Sequence, residues 1–206
     1  MLIAGIILLL VFSQQKILAQ QGNHDKPTYT DVNGQPMLLG KHPKEDLMQM
    51  PYREWFEKNY NDYITDTVTA HQIAPLLKNK KFELFMGTWC GDSRREIPRM
   101  IKLLENCGVP PANIVIIMVD DHDSTYKQSP GHEEKGKNIF RVPDLIVYED
   151  KVEINRIVEY PVMSLEKDLL AILTKQSYLP SYKAAALLIQ QLNNSHPANT
   201  SANIST

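Results

Sequence analysis

With 206 residues, 43% of them apolar, the chain can bury one sizeable core, which bounds it to one main domain with extensions. A formal net charge of −2 excludes the basic surface that a general nucleic-acid or anionic-membrane binder needs. Two cysteines exclude a disulfide-stapled scaffold, and no run reaches the ~20 apolar residues of a membrane-spanning helix.

Residues 2–12 are apolar apart from one glycine and lead into Ser13-Gln-Gln-Lys-Ile-Leu-Ala19. That pattern matches a signal-peptide core with a cut after Ala19, so residues 1–19 are expected to be removed and the protein exported, to the periplasm or beyond, with no stable membrane insertion afterwards. Residues 20–43 are polar, rich in Gly, Asn, Asp and Pro and without a period, which predicts an extended arm. Residues 44–60 carry Tyr52, Trp55, Phe56 and Tyr60 at helical spacing, with Pro51 suited to a first helical turn. An aromatic helix of this kind needs a core to pack on, so residues 20–62 read as an N-terminal arm and helix laid onto the main domain. A first strand is expected at 63–66 and a helix at 70–77, bent near Pro75.

Residues 82–98 hold the centre of the chain. Phe82 to Met86 reads as a buried strand, Gly87-Thr88 as a tight exit, and Cys90 as the start of a helix whose Ile97, Met100, Ile101 and Leu104 recur at i, i+3, i+4 and i+7. Gly108 and Pro110 end that helix. Its unpaired first-turn N–H groups and positive dipole end, with Arg94 and Arg95 nearby, are expected to favour the Cys90 thiolate. Cys107 lies about 25 Å further along the helix at ~1.5 Å per residue, beyond disulfide reach, and reads as a packed thiol. Residues 114–119 form a second β-rich run, so 81–119 predicts a βαβ unit with neighbouring parallel strands.

A polar segment, 120–137, follows. Its Asp120-Asp121-His122-Asp123 cluster, with His132, Glu133 and Glu134 beyond, matches neither a calcium loop nor a zinc site, so no metal and no cofactor are expected. Residues 144–148 and 152–158 flank Glu149-Asp150-Lys151 and predict a hairpin. Ser164 offers an N-cap to a helix over 165–174. A second amphipathic helix is expected at 182–192, within a 176–192 extension, and the polar 193–206 tail is expected to be disordered. That tail holds Asn-x-Ser/Thr patterns at Asn193, Asn199 and Asn203, which matter only in a source that glycosylates asparagine.

Trp89-Cys90-Gly91-Asp92-Ser93 resembles the Trp-Cys-Gly-Pro-Cys site of thioredoxins, with serine in place of the second cysteine. Pro98 follows Cys90 by eight positions, as the helix-kinking proline does in that family, and Arg141-Val142-Pro143-Asp144-Leu145-Ile146-Val147-Tyr148 looks like the segment bearing the family's cis-proline. Among thioredoxin-like proteins the wording is most similar to exported bacterial ones. The resemblance spans roughly residues 63–175 and implies a thioredoxin-like α/β fold: a central mixed β-sheet flanked by helices, here with an N-terminal helical extension and an added C-terminal helix.

It also implies roles. Cys90 would be the nucleophile of thiol–disulfide exchange, forming mixed disulfides with protein or low-molecular-weight thiols. Ser93 cannot resolve such an adduct but could donate a hydrogen bond to the thiolate. Trp89, Val142 and Pro143 would line the substrate groove, Val142 through its backbone. The family's buried acid, six positions before the first cysteine, is Leu84 here, and Glu83 points to the opposite strand face. Two readings follow: an oxidoreductase-like protein working by a monothiol route, or a non-catalytic binding module that uses the groove between Trp89 and Pro143.

Overall fold

The strand that leads to Cys90 lies at the middle of the sheet. In the computed structural model, which describes residues 29–181, β4 (Lys80–Met86) sends Phe82, Leu84 and Met86 to one face and Glu83 and Phe85 to the other. From Phe82 to Met86 only Glu83 interrupts an apolar run, as expected of a strand covered on both faces. β5 (Ile114–Met118) pairs parallel to β4, and β6 (Asp144–Glu149) pairs antiparallel on the other side. β7 (Val152–Val158) folds back on β6, the reversal being made by Asp150 and Lys151 with φ of 49° and 71°. β3 (Gly40–His42) closes the far edge, antiparallel to β5, giving the order β3-β5-β4-β6-β7. β1 (Tyr29–Thr30) and β2 (Pro36–Met37) form a separate short hairpin. The fold is thus a mixed α/β arrangement, a five-stranded mixed sheet flanked by helices.

The helices pack on one face. They are α1 (Lys44–Leu47), α2 (Arg53–Asp62), α3 (Thr67–Ile73), α4 (Gly91–Asn106) and α5 (Leu165–Leu173). Leu47, Phe56, Ile73, Met100, Leu104 and Leu169 from these helices join Leu84, Ile116 and Leu145 from the sheet in one cluster. Each such side chain contributes roughly 1.5–3 kcal/mol by leaving water. The caps follow the local chemistry. Asp66 accepts from the N–H groups of Val68 and Thr69 to start α3, and Ser164 accepts from Lys167 N–H to start α5. Gly108, at φ +84°, takes the left-handed turn that stops α4.

Pro98 lies inside α4 and donates no N–H to the Arg94 carbonyl four residues back. Asn59 of α2 fills that position, its side-chain amide donating to Arg94 O at 3.2 Å. The missing bond is thereby turned into a docking point for the aromatic helix. Tyr52 and Phe56 of that segment are buried in the main core, and Tyr60 stacks on Phe56 and donates to Glu105 at 2.5 Å.

Three expectations are corrected. The arm is not featureless: residues 40–42 complete the sheet, in strands too short to show alternation. Residues 44–60 form two helices rather than one, and Pro51 lies between them, before the Tyr52 cap of α2. Residues 63–66 form no strand. Tyr63 instead donates to Glu166 at 2.5 Å, Thr65 accepts from Asn106 at 2.8 Å and Asp66 caps α3, so tertiary partners override β-favouring side chains. The expected leader (1–19), the helix at 182–192 and the tail at 193–206 lie outside the described residues. Among the described residues no helix is long and apolar enough to cross a membrane.

Candidate functional site

β4 ends at Met86 and α4 begins at Gly91, and the intervening turn is braced from several sides. Cys90 N–H donates to Gly87 O at 3.0 Å, and Arg94 N–H donates to Cys90 O at 3.0 Å, which makes Cys90 the N-cap residue, with extended backbone. Gly87 is required here by space: a Cβ would fall 2.4 Å from the Trp89 indole. Trp89 crosses that gap to donate its ring N–H to Val119 O at 2.8 Å, and its ring lies 6.0 Å from Tyr126. The 120–137 loop is therefore tied to the same turn.

Cys90 is half-buried, and its Sγ–H donates to Val142 O at 3.4 Å. The Val142–Pro143 peptide bond is cis, and Pro143 O accepts from Glu159 N–H at 2.7 Å. Trp89, Cys90, Val142 and Pro143 are thus brought together at the end of the sheet.

Three of the expected site residues have partners of their own around the turn. Ser93 is fully buried, and its hydroxyl accepts from Gly87 N–H at 3.3 Å, which braces the turn. Arg95 is held by Asp92 at 2.7 Å and Glu96 at 2.6 Å, an acidic pair that takes up its charge. Arg94 folds back on the turn and donates Nε–H to Thr88 O at 2.5 Å. Both guanidiniums are thus engaged by groups of the turn and of the first turns of α4.

Leu84 is fully buried in the core, and Glu83, on the opposite face, is bound by Lys137 and by Tyr148 at 2.9 Å. Cys107 is buried at the end of α4, and burial, helped by the Glu166 charge, pushes its thiol up to about 11. Both cysteines are free. Asp120, Asp121 and His122 bring ligand atoms within 4.8 Å of one another, and the three are engaged locally. Asp120 accepts from His122 and Thr125 at 2.7 Å each, and Asp121 accepts from Val32 N–H at 3.3 Å.

No protein-family model matches the chain, and no curated protein matches it. Function therefore has to come from the site itself.

Sequence reasoning missed one pair beside the site. Asp144, the residue after Pro143, is 1% exposed and meets Arg156 of β7 at 2.7 Å. Burial pushes its carboxyl up to about 7 in spite of the opposing pull of Arg156. An acid opening an otherwise apolar strand, with an arginine in the next strand, was the available signal. Chemically, the site offers one accessible thiol beside a backbone acceptor, with no second thiol among the described residues near it.

Proposed function

We propose that the protein is a thioredoxin-like one, exported after cleavage near Ala19, that carries out thiol–disulfide exchange by a monothiol route through Cys90. The observation that carries this is the half-buried Cys90 at the head of a 16-residue helix, its sulfur against the Val142 carbonyl. The helix N-terminus favours an anion there, and the Val142 carbonyl is a backbone acceptor of the kind an extended partner strand pairs with.

The exchange balances as follows. The Cys90 thiolate attacks one sulfur of a partner disulfide; that S–S bond breaks as the Cys90–partner bond forms, and the departing thiolate takes a proton from solvent. Ser93, oxygen-bearing and turned to Gly87, cannot resolve the adduct. An external thiol attacks instead, releases the Cys90 thiolate and leaves the partner joined to the new sulfur. The partners are protein or low-molecular-weight thiols and disulfides.

The test restores the missing sulfur. Cys90 adducts in the parent protein are expected to persist on non-reducing gels and to vanish in Cys90→Ser. Ser93→Cys places a thiol one turn away, and this variant is expected to form an internal disulfide and to lose the long-lived adducts. Three free thiols in mildly oxidised Ser93→Cys, with no adducts in the parent, would instead favour a binding module using the groove between Trp89 and Pro143.

A further inference from the structure

Five buried acids are found among the described residues: Asp31, Glu96, Asp144, Glu166 and Asp168. Most are saturated. Asp168, for example, accepts from the N–H groups of Val162 and Met163 and from the Tyr178 hydroxyl. Asp144 is the exception: its Oδ2 takes Arg156, and its Oδ1 has no partner. A buried oxygen left without a donor is costly while the group is charged, and protonation relieves that cost. Asp144 also lines a cavity of about 290 Å³, together with Phe140, Arg141, Glu153, Arg156, Val158 and Pro180, through which a proton can arrive.

Its position gives this acid a consequence. Asp144 opens β6, paired with Phe85 on one side and Val158 on the other. Two residues earlier, the Val142 carbonyl accepts from Cys90. The turn between them is anchored by Pro143 O on Glu159 N–H at 2.7 Å, by Arg141 on Glu159 at 3.1 Å and by Asp144 on Arg156 at 2.7 Å. Of these three ties the last depends on one acid with an unpaired oxygen.

We propose that Asp144 is a positioning residue for Cys90: its ion pair with Arg156 holds the start of β6, and with it the Val142 carbonyl, against the thiol. The charge of Asp144 then sets how Cys90 is presented to a reagent. With the pair intact the sulfur is turned to Val142; with Asp144 neutral the turn loosens and the sulfur is freed. The charged groups around Asp144 are Arg156 and Glu153 from β7 and Arg141 from the preceding segment; on the β4 side its cross-strand neighbour is Phe85, over which Lys137, paired with Glu83, lies. Arg156 holds Asp144 charged. Glu153 works against that directly but is itself bound by the same guanidinium. The change is placed near neutral pH by the carboxyl's shift to about 7.

The inference rests on the exchange reading for its use, but its test reads the thiol alone. In the full chain, carbon-13 labelling of the aspartate carboxyls should show Asp144 titrating near neutrality, with the Val142 and Cys90 backbone signals following the same curve. Iodoacetamide labelling of Cys90 should rise about two- to threefold over the single-thiol profile as Asp144 protonates. Asp144→Asn should remove that second inflection, Arg156→Met should move it to higher pH, and Arg156→Lys should keep it. A purely structural role would alter stability without moving this profile. Val142 and Cys90 signals that ignore the Asp144 titration, or identical labelling profiles in parent and Asp144→Asn, would overturn the proposal. If the signals follow Asp144 while Cys90 forms no adduct with oxidised glutathione, the positioning role stands and the exchange reading falls.

Discussion

The two faces of the sheet are built on different terms. The helix-covered face is a continuous apolar cluster from five helices and four strands, and its buried acids, such as Glu166 and Asp168, are ringed by donors. Among the described residues the apolar cluster of the loop-covered face is smaller, Phe85, Ile117, Val119, Val142 and Ile146, under a long polar segment. Cys90, Trp89, the Val142 carbonyl and the unsaturated Asp144 belong to this second face. The dense apolar packing lies on the helix side, and the accessible thiol lies on the loop side. The two cysteines divide the same way: Cys107 is in the helix-side cluster, Cys90 against the loop-side one.

The widest separation between the faces is expected from a cavity on the helix side. Leu104, fully buried in α4, should cost about 2–5 kcal/mol when changed to alanine, measured by denaturant unfolding. The labelling rate of Cys90 in the folded variant should stay that of the parent. A large change in that rate would show that the faces are not independent.

A smaller effect, of opposite character, is expected from Asp144→Asn. The folded protein holds this carboxyl at about 7 against an ordinary 3.8, so between those values the folded state binds more protons than the unfolded one. Its contribution to stability is therefore greatest below about pH 4, falls as pH rises towards 7 and is level above it, with a slope of at most about 1.4 kcal/mol per pH unit. The asparagine variant should lack that fall, so the stability difference between variant and parent should grow in the variant's favour from pH 4 to 7. A difference that is flat with pH would contradict the placement of this acid.

Trp89→Phe should have the smallest effect. It removes one hydrogen bond to Val119 O and is expected to cost about 1 kcal/mol, with faster labelling of Cys90 as the indole ceases to hold the turn to the 120–137 loop. Unchanged labelling would show that Trp89 serves packing alone.

Much of the helix-covered face was legible in the sequence because it is made by local rules. The Cys90 helix carries its apolar period, its proline and its glycine stop in one stretch, and the β6–β7 hairpin carries its turn between two apolar runs. Ser164 announces α5 by its capping oxygen. What escaped depends on partners distant in the chain. Residues 40–42 become a strand only because β5 lies beside them, and residues 63–66, extended at Tyr63 and Asp66, join no sheet and bond to Glu166 and Asn106 instead. At the site, the spacing placed Cys90 at the helix start, and the resemblance to thioredoxins implied Val142 beside it. Neither revealed that Ser93 would turn inward to Gly87, that Asp92 and Glu96 would claim Arg95, or that Arg156 would meet Asp144. Side-chain destinations on a helix's first turn are decided by neighbours within a few ångströms, and a one-dimensional pattern does not carry them.

The most direct measurement sets the two thiols against each other in one folded molecule. The native chain is incubated with oxidised glutathione near pH 8, quenched in acid, and mapped by peptide mass spectrometry for the site of the mixed disulfide. The adduct should fall on Cys90, with Cys107, buried and pushed up to about 11, modified about a hundredfold less or only after unfolding. Adducts on Cys107 at a comparable rate, or no adduct on Cys90 while the protein remains folded, would contradict thiol exchange at the loop-covered face.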